Sequence, residues 1–538
     1  TDAALTTPAA AGALTPGTLY YVKAGYNDSN TAFATIKLYV EPDFGATPRY
    51  NGDKYWIAND AKDLPDGTHV SEQVLEGTPG SYTKTAYVFT VGENVFDHPN
   101  KVPAAGAEDT TRNIYLFPQE YTIDMPTGSS GLRGVMFRFY GAKHGVSPVT
   151  LDGDGIPTST RNAARTNDAE ESIISYSISA NYQSQLYVDG VAFGGTASVN
   201  DGARIVSTSA TAAAYTSPSA FTVTNCITVN AGTYSAKSTY APVSCKAQHP
   251  LDITLTNNHI VLPASHPDHE LLVSRCAKSI TAYQNYAVCA GNSRNFMWMS
   301  SVTADSKRGY ESFTADIHHN NTDGNIPFDS LSLVNSSSIS IHDNRLAFDS
   351  TDPNDNSTIR FYMNDKEHTA YDEMSVSIAD NIFEPTGSVE EGYVAVRIAD
   401  TGESAINSFT VSGNTFDNTS GIFGAAIFNE SRSNVTVSGN TFIGFKYNFG
   451  SNRTKEHRAG GCVAFNYADP SIGETAPNVT IAADNIFNNQ LANYVDGTDT
   501  LGSHMTVGDA GVDDGTHIAL DFCGDDYYIF EPGTNMMV

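Results

Sequence analysis

Two aspartates seven residues apart, Asp365 and Asp372, sit in the densest polar stretch of the chain, RFYMNDKEHTAYDE at residues 360–373. Paired carboxylates are the working parts of glycoside hydrolysis. A protonated one gives its proton to the leaving oxygen, while an ionised one attacks the sugar or activates water. A gap of ~5–5.5 Å retains configuration and ~6.5–9.5 Å inverts it. Arg360 and Lys366 would hold one partner ionised. Tyr362, His368 and Tyr371 offer hydrogen bonds and ring faces to a sugar. The pattern alone also fits a solvated acidic loop, so the elements that position the pair must decide.

Further candidates lie outside this stretch. Aligning IRFYMND, VAVRIAD, AAIFNES and VAFNYAD, which start at residues 359, 394, 425 and 463, puts Asp365, Asp400, Glu430 and Asp469 in one column. Such acids, stacked ~4.8 Å apart, would raise each other's pKa unless calcium or catalysis used them. Asp323, in NTDG at 321–324, is similar to a polygalacturonase motif, but the later Gly-His and Arg-x-Lys elements do not follow, so it reads more simply as a turn residue. His318 and His319 are adjacent on a strand-like run and are expected on opposite faces, which argues against one shared metal; His319 remains a sugar-contact candidate. Trp298 could be a sugar platform or a packed core ring. Asp152 and Asp154, in DGDG, belong to an oxygen-rich turn of the kind that suits a structural calcium. Catalysis by a carboxylate pair calls for no cofactor.

The elements come from a recurring phrase: apolar, Ser or Thr, apolar, then Asn three positions on. It reads ITLTNN at Ile253, ISIHDN at Ile339, VSIADN at Val376, FTVSGN at Phe409, VTVSGN at Val435 and VTIAADN at Val479, with looser copies at Phe221 and Ile280. An elastic repeat of short strands predicts a right-handed parallel β-helix, each coil stacking on the last and inserted residues becoming loops. Asn344, Asn381, Asn414, Asn440 and Asn485 are expected to form an internal amide ladder at a corner, tolerating left-handed backbone. Residues 111–538 are assigned to the β-helix, entered through NIYLFPQEYTI and continued by FRFYGAKH, SPVTLDG, SQLYVDGVAF and FTVTNCITV. Residues 1–110, strand-like pieces between Gly, Pro and Asp turns, are expected to form an irregular β cap over the open end.

Composition narrows the ligand. Sixty acidic residues against 30 basic ones give a net charge of −30. That opposes nucleic acid and anionic membranes as partners and disfavours a polyuronate, while a neutral sugar meets no objection. Six cysteines are too few for a disulfide scaffold; Cys226/Cys245 and Cys276/Cys289 could bridge in an oxidising compartment or serve as buried fillers. No apolar run reaches the ~18 residues of a membrane span, and the Thr/Ala-rich start reads as a trimmed terminus.

A β-helix with two aspartates so spaced on a coil loop, embedded in RFYMNDKEHTAYDE, resembles the bacterial lacto-N-biosidases of glycoside hydrolase family 136. The resemblance covers residues 110 to 538. It implies a secreted or cell-surface retaining enzyme that releases lacto-N-biose (Gal-β1,3-GlcNAc) from lacto-N-tetraose, with Asp365 as acid/base and Asp372 as nucleophile. It also implies a dedicated folding partner protein. A polysaccharide lyase, a polygalacturonase-like pectinase and a non-enzymatic adhesin or tailspike are the competing uses of the same scaffold.

Overall fold

The computed structural model describes residues 14–25, 33–182, 184–194, 204–207, 219–229, 243–245, 251–262, 269–274, 277–289, 294–299, 313–323, 326–329, 337–348, 357–363, 371–385, 393–400, 406–419, 423–429, 431, 433–444, 446–448, 461–465, 479–482, 484–488, 491–493, 518–520 and 528–530. Three long sheets of 14, 12 and 11 strands run through it, and every neighbouring pair in the coils is parallel. Successive strands of the chain visit the first, second and third sheet in turn, then return one rung higher. Coil by coil this gives Leu251–Thr256, His259–Leu262 and His269–Ser274, then Ala277–Tyr283, Tyr286–Cys289 and Arg294–Met299. The chain is an all-β parallel β-helix with an irregular N-terminal β cap, and no α-helix occurs among the described residues.

Period-2 alternation sends one set of side chains inward, where equivalent positions stack on themselves. Phe383, Phe416 and Phe442 stack at centroid separations of 4.7 and 5.2 Å, and Phe328 and Phe361 at 4.8 Å. These are the spacings of the strands that carry them. Dispersion and burial therefore repeat along one axis, which lets a single core grow with the chain.

The corner between the first and second sheets is the most regular part. In eight successive coils two residues turn it. The first has positive φ: Asn225, Asn257, Gln284, His319, Asp343, Asp380, Gly413 and Gly439. The second points inward and, from Asn258 onward, is always Asn. Asn258, Asn285, Asn320, Asn344, Asn381, Asn414, Asn440 and Asn485 form a continuous ladder, each Nδ2 donating to the next Oδ1 at 2.8–3.0 Å. The expected amide ladder is present, with three rungs more than expected. Its asparagines do not carry the left-handed backbone, however; from Asn258 to Asn440 the residue before each one does. Ladder partners are 24 to 45 residues apart in sequence, so the elasticity lies in the other two corners. Cys226 occupies the rung below Asn258 as a free, buried thiol.

The cap is continuous with the helix. Trp56–Ile57 and Val95–Phe96 extend the first sheet below Arg112–Leu116. Trp56 stacks on Phe117 at 4.6 Å in a separate apolar cluster. The segment SPVTLDG does not continue the coils as expected. Val149–Leu151 pairs antiparallel with Pro157–Arg161, a hairpin inserted between the first-sheet strand Met136–Tyr140 and the second-sheet strand Ser172–Ile174. Beside it, fully buried Arg165 grips Glu171 with Nε and Nη2 at 2.8 and 2.9 Å and gives Nη1 to the carbonyl of Asn225 at 2.8 Å. Buried Lys143 reaches Glu170 at 2.8 Å. These paired charges fix the insertion to the regular corner.

Candidate functional site

Asp372 lies on a strand just after one corner of the coil, and Asp365 falls within the residues that lead to it. Ser357–Met363 is a third-sheet strand and Tyr371–Ala379 the next first-sheet strand, so residues 364–370 join the third sheet to the first. Asp365, Lys366 and His368 lie outside the described residues. Tyr362, Tyr371, Asp372, Asp400 and Trp298 are placed by strand backbone alone. Arg360 is half-buried in the third sheet, paired below with Pro327 and above with Arg397. The expected acid column does not form as aligned. Ile359 pairs with Val396 rather than Val394, so Asp400 stands above Met363, two residues short of Asp365. Glu430 and Asp469 lie outside the described residues.

His319 and Asp323 belong to a different edge. His319 turns the corner between the first and second sheets, and Asp323 ends the second-sheet strand Asn321–Asp323 instead of occupying a turn. Roughly 25 Å of first-sheet strand, the length of Tyr371–Ala379, separates the two edges of that sheet. Asp323 lies close to Tyr286, whose hydroxyl pKa is pushed up by burial and then by this carboxylate.

His319 is nonetheless part of a cluster. The strand ends at His318, and the positive φ of His319 (53°) swings its ring back, so the two do not point to opposite faces as expected. Their Nδ1 atoms meet at 3.0 Å, which makes one ring the donor and the other the acceptor. His318 is sandwiched between Tyr283 and His342, with centroids 5.2 and 5.0 Å away and planes within 2° and 8°. His342 Nδ1 contacts Asp343 Oδ2 at 2.7 Å, and Nε2 contacts Asp316 Oδ1 at 3.2 Å. Burial, with His342 and His319 as neighbours, pulls the His318 pKa down against Asp316, which pushes it up. The signal was present in the phrase itself: AYQN, IHHN and IHDN each place a ring two residues before the ladder Asn.

The inserted hairpin walls this edge. Asn321 Nδ2 donates to Pro157 O at 2.7 Å, and His259 Nε2 lies 3.2 Å from Ser159 O. Burial lowers the His259 pKa. The hairpin turn is closed by Asp152, whose Oδ1 accepts from the amides of Asp154 and Ile156 at 3.0 Å each, while Oδ2 faces Arg345 Nη1 at 3.9 Å. Asp152 thus uses Oδ1 to close the turn, and the Arg345 guanidinium beside Oδ2 opposes a cation there. No group of three or more metal-ligating side chains converges among the described residues.

The edge can therefore donate, accept and stack, through the rings of His318, His319 and His342 and the carboxylates of Asp316 and Asp343. No family model, curated protein or solved structure matches the chain.

Proposed function

We propose that this chain is a glycoside hydrolase acting on neutral, GlcNAc-containing oligosaccharides, with Asp365 and Asp372 as its carboxylate pair. The observation that supports it is the path of the backbone: a third-sheet strand ends at Met363 and the next first-sheet strand starts at Tyr371, so in sequence Asp365 belongs to the connection and Asp372 to the strand that follows it. A connection between adjacent strands of a coil can face its two ends toward one glycosidic oxygen, as acid–nucleophile catalysis demands. Arg360, on the strand leading in, supplies positive charge at the same edge. The strongly acidic composition favours an uncharged substrate. Lacto-N-tetraose, cleaved with retention to lacto-N-biose, is the first substrate to test, and a secreted or surface location and a folding partner belong to the same proposal.

Asp365→Asn and Asp372→Asn are each expected to cut turnover of lacto-N-tetraose at least a thousandfold with folding intact, read by mass detection of the disaccharide. Wild-type rates in both variants would sink the assignment. An ultraviolet-absorbing unsaturated product from a uronate polymer would instead identify a lyase. A second reading, glycan binding without turnover, is favoured by the ring cluster on the opposite edge.

A further inference from the structure

Two residues before each ladder position, the outer face of the first sheet carries one column of side chains. Read up the axis it runs Thr256, Tyr283, His318, His342, Ala379, Ser412. Three consecutive rings stack in parallel, and the stack is closed below by Thr256, itself buried. Above His342 it stops, because the next rung carries only the methyl group of Ala379. One strand spacing, ~4.8 Å, is the thickness of one further ring. Asp343 and Asp316 hold both nitrogens of His342, so the ring is fixed with its face directed along the axis. At the corner one rung up, Asp380 is exposed with φ of 55°, and its carboxylate leans over Gly413, where any Cβ would collide with it.

We propose that this ledge binds a single uncharged pyranose unit, the ring lying on His342 above Ala379 and its hydroxyls donating to Asp380. A pyranose has a flat apolar face whose C–H groups suit the face of an aromatic ring, and a carboxylate is the acceptor-only group that vicinal hydroxyls satisfy. Asp316, Asp343 and Asp380 together set a negative field that rejects uronates. The site shares with the hydrolase reading only the glycan class of its ligand. It uses neither Asp365 nor Asp372 and stands at the far end of the same strand, so the two proposals fail separately.

The test is saturation-transfer NMR on the full chain with methyl β-N-acetylglucosaminide, methyl β-galactoside and methyl β-glucuronide. At least one neutral glycoside should bind in the millimolar range and the glucuronide at least tenfold more weakly. Ala379→Leu fills the ledge and should weaken binding at least tenfold with the thermal midpoint held; Ser412→Leu is the second blocking variant should Ala379→Leu misfold. His342→Ala should weaken it similarly. Undiminished binding to folded Ala379→Leu or Ser412→Leu, no transfer to either neutral glycoside, or equal binding of the glucuronide would each overturn the proposal.

Discussion

Truncating one rung of the asparagine ladder, Asn344→Ala, isolates what holds the coils in register. Asn344 Nδ2 donates to Ile317 O, His342 O and Asn381 Oδ1 at 2.8, 2.9 and 2.8 Å, and its Oδ1 accepts both the backbone amide and Nδ2 of Asn320 at 2.9 Å. Alanine leaves the Asn320 amide and the Ile317 carbonyl unpaired in a site where Asn320 and Asn344 are wholly buried. An orphaned buried donor or acceptor costs about 1–3 kcal/mol, so two such groups set a loss of about 2–6 kcal/mol. Native-state hydrogen exchange is the right assay, because a stacked array need not unfold in one step. The amides of Asn320 and its rung neighbours should exchange at least a hundredfold faster, while rungs near Asn440 change little. Cys226→Asn is the converse control. It adds a rung below Asn258, whose Oδ1 now takes only the Cys226 amide at that side, and should leave stability unchanged or raised. A loss under about 1 kcal/mol for Asn344→Ala, or uniform exchange along the whole ladder, would refute the reasoning.

Two further perturbations test the corner and the cap. Gln284 holds φ of 52° at the corner position where most coils use Asn, Asp or Gly, so Gln284→Gly should raise the unfolding free energy by about 1 kcal/mol, read by chemical denaturation; a destabilised variant would show that the side chain compensates its own strain. Burial, aided by Asp60, pushes the Glu72 carboxyl from 4.5 up to about 8, with Oε1 lacking a hydrogen-bond partner. The folded chain then holds a proton that the unfolded chain releases, so this contribution is fully present below pH 4.5 and is lost as pH rises through 8. Linkage sets the loss at up to about 5 kcal/mol. Glu72→Gln should flatten the fall of the thermal midpoint across that window, and parallel profiles for parent and variant would rule the account out.

What could be read from the residues followed from what each pattern fixes. Asparagine at a corner is legible because few residues can bridge two rungs with one amide, and the phrase repeats it. The second strand set was misaligned by two residues because VAVRIAD repeats an apolar residue at every second position, and period-2 patterning cannot distinguish a shift of two. His319 was misread for another reason. Nothing in HHN announces a left-handed residue as Gly, Asn or Asp would, so a strand with opposed side chains looked natural, and the ring cluster went unseen. Asp323 followed the same logic in reverse, since NTDG carries turn residues but is paired as strand in register with Val288 and Ala347. The inserted hairpin was hidden because Val-Thr-Leu has the composition of a coil strand; only its antiparallel partner marks it as an addition.

The two proposed sites also differ in the freedom the fold allows them. The ladder corner keeps two residues per turn from Asn225 to Asn440, which holds each amide under the one above. Gly439 shows the tolerance: where Ala482–Asn485 lengthens the turn, Asp484 Oδ1 takes the Gly439 amide and Asn485 still reaches Asn440. Chemistry built at this edge therefore comes by substitution alone, ring for small residue at a fixed 4.7–4.9 Å pitch, which suits a shallow, rigid binding ledge. The corner that carries Asp365 is one of the two whose connections absorb the variation between steps of 24 and 45 residues. A carboxylate pair that needs a particular gap across a substrate can be set there by loop length without disturbing the stack. Binding on the ladder edge and cleavage on the elastic edge is thus the division of labour that one scaffold, rigid on one side and variable on the other, makes available.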